Sequence, residues 1–138
     1  KKRQVKSPKI FIQDSGMLHA LLSISGKREL TAHPKIGASW EGFITEQLVR
    51  HLGADEREIF FWRTHGGAEL DLLFMRGQRK LGFEIKRSEA PRLTPSMRHA
   101  VTELGLKRLT VIHAGTTRFA LAKGIDAVPA SDILTLPL

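Results

Sequence analysis

The chain has 138 residues, with 22 Lys and Arg against 14 Asp and Glu, a net charge of +8 at pH 7 and no cysteine. That length supports one domain with a real core, and the lack of cysteine excludes disulfide frameworks and thiolate zinc sites. No apolar run approaches the roughly 20 residues a membrane-spanning helix needs, and the basic excess suits a polyanion partner through counterion release. A solvated surface explains the same charge. The start Lys1-Lys2-Arg3 has no initiator methionine or apolar signal core, so the chain reads as a fragment of a longer protein, and a cytoplasmic setting is expected.

In chain order, Lys9 to Gln13 alternates like a short strand. Asp14-Ser15-Gly16 offers helix-capping chemistry before the apolar run Met17 to Leu22, and Ser25 to Lys35 reads as a polar connection. From Ser39 to Leu52 the residues Trp40, Phe43, Ile44, Leu48, Val49 and Leu52 recur at helical spacing, and Gly53 stands where a terminator belongs. Ile59 to Arg63 is a short β-like run and Thr64-His65-Gly66-Gly67 a turn. Glu69 to Met75 and Lys80 to Lys86 form a hairpin about Arg76-Gly77-Gln78-Arg79. Thr94-Pro95 starts a helix that Gly105 closes, and Leu109 to His113 is a further strand. The tail, with Gly124, Pro129 and a cap at Ser131, resembles an edge strand followed by a short helical turn.

A two-residue turn centred on Gly77-Gln78 sets Asp71 opposite Glu84. Strand alternation then puts Glu84 and Lys86 on the face of Asp71, with Phe83 and Ile85 on the other. Like charges directly opposite are destabilising, and a bound divalent cation would offset that; so, in part, would Lys86 in a merely solvated hairpin. Glu69 adds a third carboxylate or a rim charge. At about 100° per residue Glu41 falls on the apolar arc of its helix, between Leu48 and Leu52, so it should face inward and be paired, protonated or liganded. Its alternatives are a site reached from the sheet and a salt bridge to a nearby Arg.

The succession helix-Glu41, Glu69-Leu70-Asp71 and Phe83-Glu84-Ile85-Lys86 resembles the PD-(D/E)XK nuclease superfamily, whose core runs αβββαβ. More narrowly, Lys9-Ile10-Phe11-Ile12-Gln13-Asp14-Ser15-Gly16, Trp40-Glu41-Gly42-Phe43-Ile44, Phe61-Trp62-Arg63 and the acidic strands are similar to an uncharacterised C-terminal domain of bacterial and archaeal AAA-type ATPases. The resemblance implies an α/β, restriction-endonuclease-like fold, a small mixed sheet flanked by helices. It also implies one domain over 1–138, an extension at 1–36 followed by a nuclease-like core at 37–138. It implies magnesium or manganese on Asp71, Glu84 and the Ile85 carbonyl, Lys86 activating the attacking water, and Glu41 holding a second metal or its water. Leu70 stands where the motif's proline would be.

The implied function is metal-dependent hydrolysis of DNA, and the alternatives are a non-catalytic nucleic-acid-binding or coupling module of the ATPase and a purely structural interaction domain. A P-loop domain is implied upstream. Gly26-Lys27 is followed by Arg28 and lacks a glycine five residues earlier, so no ATP hydrolysis is expected from this stretch. Arg63, Arg76, Arg79, Lys80, Arg87, Arg92 and Arg98 gather around the hairpin and the next helix and are candidates for a phosphate track; Arg63, Arg76 and Arg87, with His65 beside the Gly66-Gly67 turn, are the expected nucleic-acid contacts. The six histidines form no H-x-x-x-H or H-E-x-x-H pair, and no serine lies in a nucleophile elbow. Phe61 and Trp62 read as core.

Overall fold

The structure is a computed structural model that describes residues 9–137; the Lys1-Lys2-Arg3 start lies outside them. Its helices are α1 (Ser15–Leu21), α2 (Lys27–Ala32), α3 (Ile36–Leu52) and α4 (Pro95–Leu104). Its strands are β1 (Ile59–Arg63), β2 (Glu69–Arg76), β3 (Arg79–Lys86), β4 (Leu109–His113), β5 (Phe119–Ala122) and β6 (Ile125–Pro129), in one mixed sheet ordered β1-β2-β3-β4-β6-β5. The fold is mixed α/β. None of the described helices is long and apolar enough to cross a membrane.

The sheet is covered on both faces. On one, Ile44, Leu48 and Leu52 of α3 pack with Leu72, Phe74, Phe83, Ile85 and Ile112, and Ile133 of a terminal 3₁₀ turn joins them. On the other, Met97 and Ala100 of α4 meet Trp62, Leu70, Leu73, Leu109 and Val111. Helix α4 carries the crossover that lets β3 and β4 pair in parallel, as a parallel neighbour requires. Thr94 caps it by accepting from the Met97 N–H, and Gly105 ends it in the left-handed conformation. Thr94→Ala should cost about 1 kcal/mol in a urea or thermal melt, the usual loss for an N-cap hydroxyl.

The β2–β3 register runs Leu72↔Phe83 to Arg76↔Arg79, as the turn chemistry requires, and ends one residue short of Asp71. Gly77 has φ +58°, and no non-glycine in the turn has positive φ, the pattern of a type II′ turn. Other expectations need correction. Lys9 to Gln13 is not a strand but an extended strap with Ile10 largely exposed, because no sheet edge receives it. The expected connection over Ser25 to Lys35 contains the short α2, and α3 begins three residues before Ser39, at Ile36. The tail forms a hairpin in which β6 lies inside the sheet and only β5 is at the edge. Ser131 caps nothing: Pro129 precedes the 3₁₀ turn, and the Ser131 hydroxyl donates to Asp132.

Candidate functional site

The site forms where β2 enters the sheet, beside the carboxyl end of β3 and the first half of α3. Strand β2 is irregular there. Between Phe60 and Trp62 β1 spends one intervening residue, while β2 spends two between their partners Leu73 and Leu70. The extra residue is a bulge at Asp71–Leu72, and its effect is visible in the packing: Leu70 and Leu72 fall in opposite cores although simple alternation would put them together. Bulges re-aim side chains, and here the Asp71 carboxylate turns into the gap between strands, where Oδ2 accepts the Ile85 N–H at 2.8 Å. The paired register stops at Leu72↔Phe83. The expectation that Asp71 simply shares a face with Glu84 and Lys86 is therefore corrected: Asp71 sits between the two sides of the sheet.

Glu84 and Lys86 do share a face, on the α4 side with Gly82 and Val111. Lys86 Nζ lies 2.6 Å from Glu84 Oε1. Glu84 is only 2 % exposed, and among the described residues its Oε2 has no hydrogen-bond partner. Burial first, and the Asp71 charge second, push the Glu84 carboxyl up to about 7 against the pull of Lys86. Lys86 is itself held above the ordinary lysine value: burial works against its charge, but Glu84 and the other carboxylates outweigh it.

Glu41 points from α3 toward Asp71, inward as its helical position predicts, but its partner is Lys9 rather than an arginine. Lys9 Nζ binds Glu41 Oε1 and stands 3.4 Å from Asp71 Oδ1. The Phe61 and Phe11 rings flank that ammonium, with centroids 4.9 and 5.4 Å away. Burial pushes the Glu41 carboxyl up, and Asp71 adds to this against the pull of Lys9. Lys9, desolvated yet surrounded by carboxylates, is raised. A cleft of about 150 Å³ opens here, lined in part by Lys9, Phe11, Phe61 and Asp71. Phe61 thus belongs to the site as well as to β1, whereas Trp62 is core as expected. Sequence reading missed Lys9, whose carboxylate partners lie 32 and 62 residues away.

The basic candidates separate. Arg63 stays at the site, 3.8 Å from Glu69, whose charge is also felt by Glu41 and Glu84. His65 and Arg87 are exposed beside it in sequence. Arg76 is corrected: it closes the far end of the hairpin, bonded to Glu58 and the Gly53 carbonyl. Arg79 pairs with it across the turn and Lys80 reaches the Leu104 carbonyl, so these three do not border the acids.

Among the described residues no three His, Asp or Glu side chains converge as a finished metal cage. Lys9 holds Glu41, Lys86 holds one oxygen of Glu84, and Ile85 N–H holds one oxygen of Asp71. The donors nonetheless fit a hard cation. Glu84 Oε2 is a buried carboxylate oxygen without a partner, and magnesium commonly takes only one or two protein carboxylates, keeping waters for the rest.

A mixed α/β sheet with an acidic, lysine-flanked site at the β2–β3 junction defines the class. The chain belongs to the family described as a domain of unknown function, DUF4143, whose model matches residues 36–133; this domain is found in AAA-ATPase-associated proteins. It is 48% identical over 134 residues to an uncharacterized protein of Mycobacterium bovis and, equally, to one of Mycobacterium tuberculosis. The match covers 97% of this chain and 30% of each relative, so the chain spans under a third of their length.

Proposed function

We propose that this domain has a restriction-endonuclease-like core of the PD-(D/E)XK kind and hydrolyses phosphodiester bonds in DNA with a divalent cation. The observation that carries the proposal is the buried Glu84 Oε2, unpartnered among the described residues, beside Lys86 and near Asp71. Magnesium or manganese would be held by Asp71 and Glu84, with the Ile85 carbonyl as a further oxygen, and would supply Lewis-acid polarisation of the phosphate and a more acidic water. Lys86, 38 % exposed, reaches solvent from beside Glu84 and is placed to orient the attacking water and stabilise developing negative charge. Arg63, His65 and Arg87 would approach the flanking phosphates, where their charge positions the strand without reading its sequence. A cytoplasmic setting, with an ATPase domain in the same protein, completes the proposal.

Cleavage of labelled single-stranded, duplex and branched DNA in magnesium and manganese tests it. Metal-dependent products from the wild type, reduced at least about 100-fold by both Asp71→Ala and Lys86→Ala, are expected, in the range seen when one charge-stabilising group is removed from an active site. Cleavage indifferent to both substitutions would refute the assignment. A second reading, a non-catalytic coupling module of the ATPase, is favoured by one observation: Lys9 and Lys86 already neutralise much of the acidic cluster. No cleavage in any arm of the same assay would support it.

A further inference from the structure

The strap from Lys9 to Gln13 is anchored by more than its lysine. Phe11 lies on Gly42, next to Glu41 in α3, and a Cβ at Gly42 would come within 3.3 Å of the Phe11 ring. That close seat, with the Phe61 ring on the other side, fixes where the Lys9 ammonium stands: between Glu41 Oε1 and Asp71 Oδ1. Asp71 is thus shared. Its Oδ1 faces Lys9, which also binds Glu41, and its Oδ2 accepts the N–H of Ile85, next to Glu84, whose buried Oε2 has no partner among the described residues.

We infer that the site takes one divalent cation, on Glu84 and Asp71, and that Lys9 permanently fills the second cation position, between Asp71 and Glu41. This rests on the proposed metal-dependent chemistry and narrows it. Charge supports it independently of geometry. With Glu69 facing Arg63, the carboxylates of Glu41, Asp71 and Glu84 face two ammoniums, Lys9 and Lys86, which leaves one net negative charge. One divalent ion turns this into one net positive charge, matched by a single phosphodiester; a second ion would leave three positive charges in a part-buried site, a costly arrangement. Lys9 therefore gives Glu41 a role that needs no metal, as the fixed anion that holds the tethered cation beside the substrate phosphate.

The test is a manganese titration of the intact, nucleotide-free protein, followed by the paramagnetic resonance of free Mn²⁺ and counting only sites lost in Asp71→Asn. The wild type and Lys9→Arg should each bind one ion. Lys9→Met, which releases Glu41 and Asp71 Oδ1, should bind two. Two ions on the wild type would overturn the inference, and this needs neither Lys9 variant to fold. One ion on both wild type and Lys9→Met would also overturn it while leaving the metal reading intact. No ion on the wild type would remove both together.

Discussion

Glu84→Gln is expected to make the metal-free protein more stable at and above pH 7 while abolishing metal-dependent cleavage. In the folded chain the Glu84 carboxyl is pushed to about 7 by burial and by Asp71, against an ordinary value of 4.5. Between these two values the unfolded chain has released a proton that the folded chain still holds, so stability falls as pH rises from about 4.5 to about 7 and then levels off. The full drop is on the order of 3 kcal/mol, taking about 1.4 kcal/mol per unit of pKa. Urea melts at a series of pH values, with chelator present, should show this fall in the wild type and its absence in Glu84→Gln. Magnesium should shrink the fall, because a cation on the ionised carboxylate offsets its burial. A flat wild-type profile would mean that Glu84 is not the strained carboxyl the structure describes.

Gly115→Ala is expected to be the most damaging small substitution near the site. Gly115 follows β4 and is packed under the loop that leaves β3: a methyl there would collide with the backbone oxygen of Glu89 and sit 3.0 Å from His113 Nδ1. The obstacle is backbone, which cannot rotate away as a side-chain end can. The same two loops are tied by the Ala114 N–H to the Ser88 carbonyl, so separating them breaks that bond, and shifting Gly115 strains the one its N–H donates to His113 Nδ1. A loss of about 3 kcal/mol is expected, at the upper end for overpacking. Because Lys86 pairs in register with His113, cleavage should fall even at temperatures where the variant remains folded. Gly115→Ala melting within a degree of the wild type would contradict the packing described.

What the sequence could reveal followed from local rules. Gly77 at the first central position of a two-residue turn set the β2–β3 register, and so brought Asp71 to the Ile85 end of β3. Helical periodicity turned Glu41 inward, and the caps at Thr94 and the glycines at 53 and 105 closed their helices as read. The failures that bear on the site are non-local. The bulge at Asp71–Leu72 arises from pairing with β1, so alternation within β2 alone could not show that Asp71 would leave the Glu84 face. Lys9 meets its carboxylates only in the folded chain; a lysine two residues before a phenylalanine carries no signal of that. Arg76 is near the acids in sequence but five residues along an extended strand from Asp71, which carries it to the opposite end of the hairpin. The alternation of Ile10 and Ile12 suggested a strand, but strand formation needs a partner edge, and this segment instead lies against α3.

Everything proposed for this domain turns on whether the acidic junction of β2 and β3 is a metal site. The measurement that asks this most directly is anomalous diffraction at a wavelength sensitive to manganese, from crystals soaked in manganese chloride. One peak is expected, bonded to the carboxylates of Glu84 and Asp71, with Lys9 still in place against Glu41. Peaks confined to surface carboxylates, with Glu84 Oε2 still unligated, would contradict it.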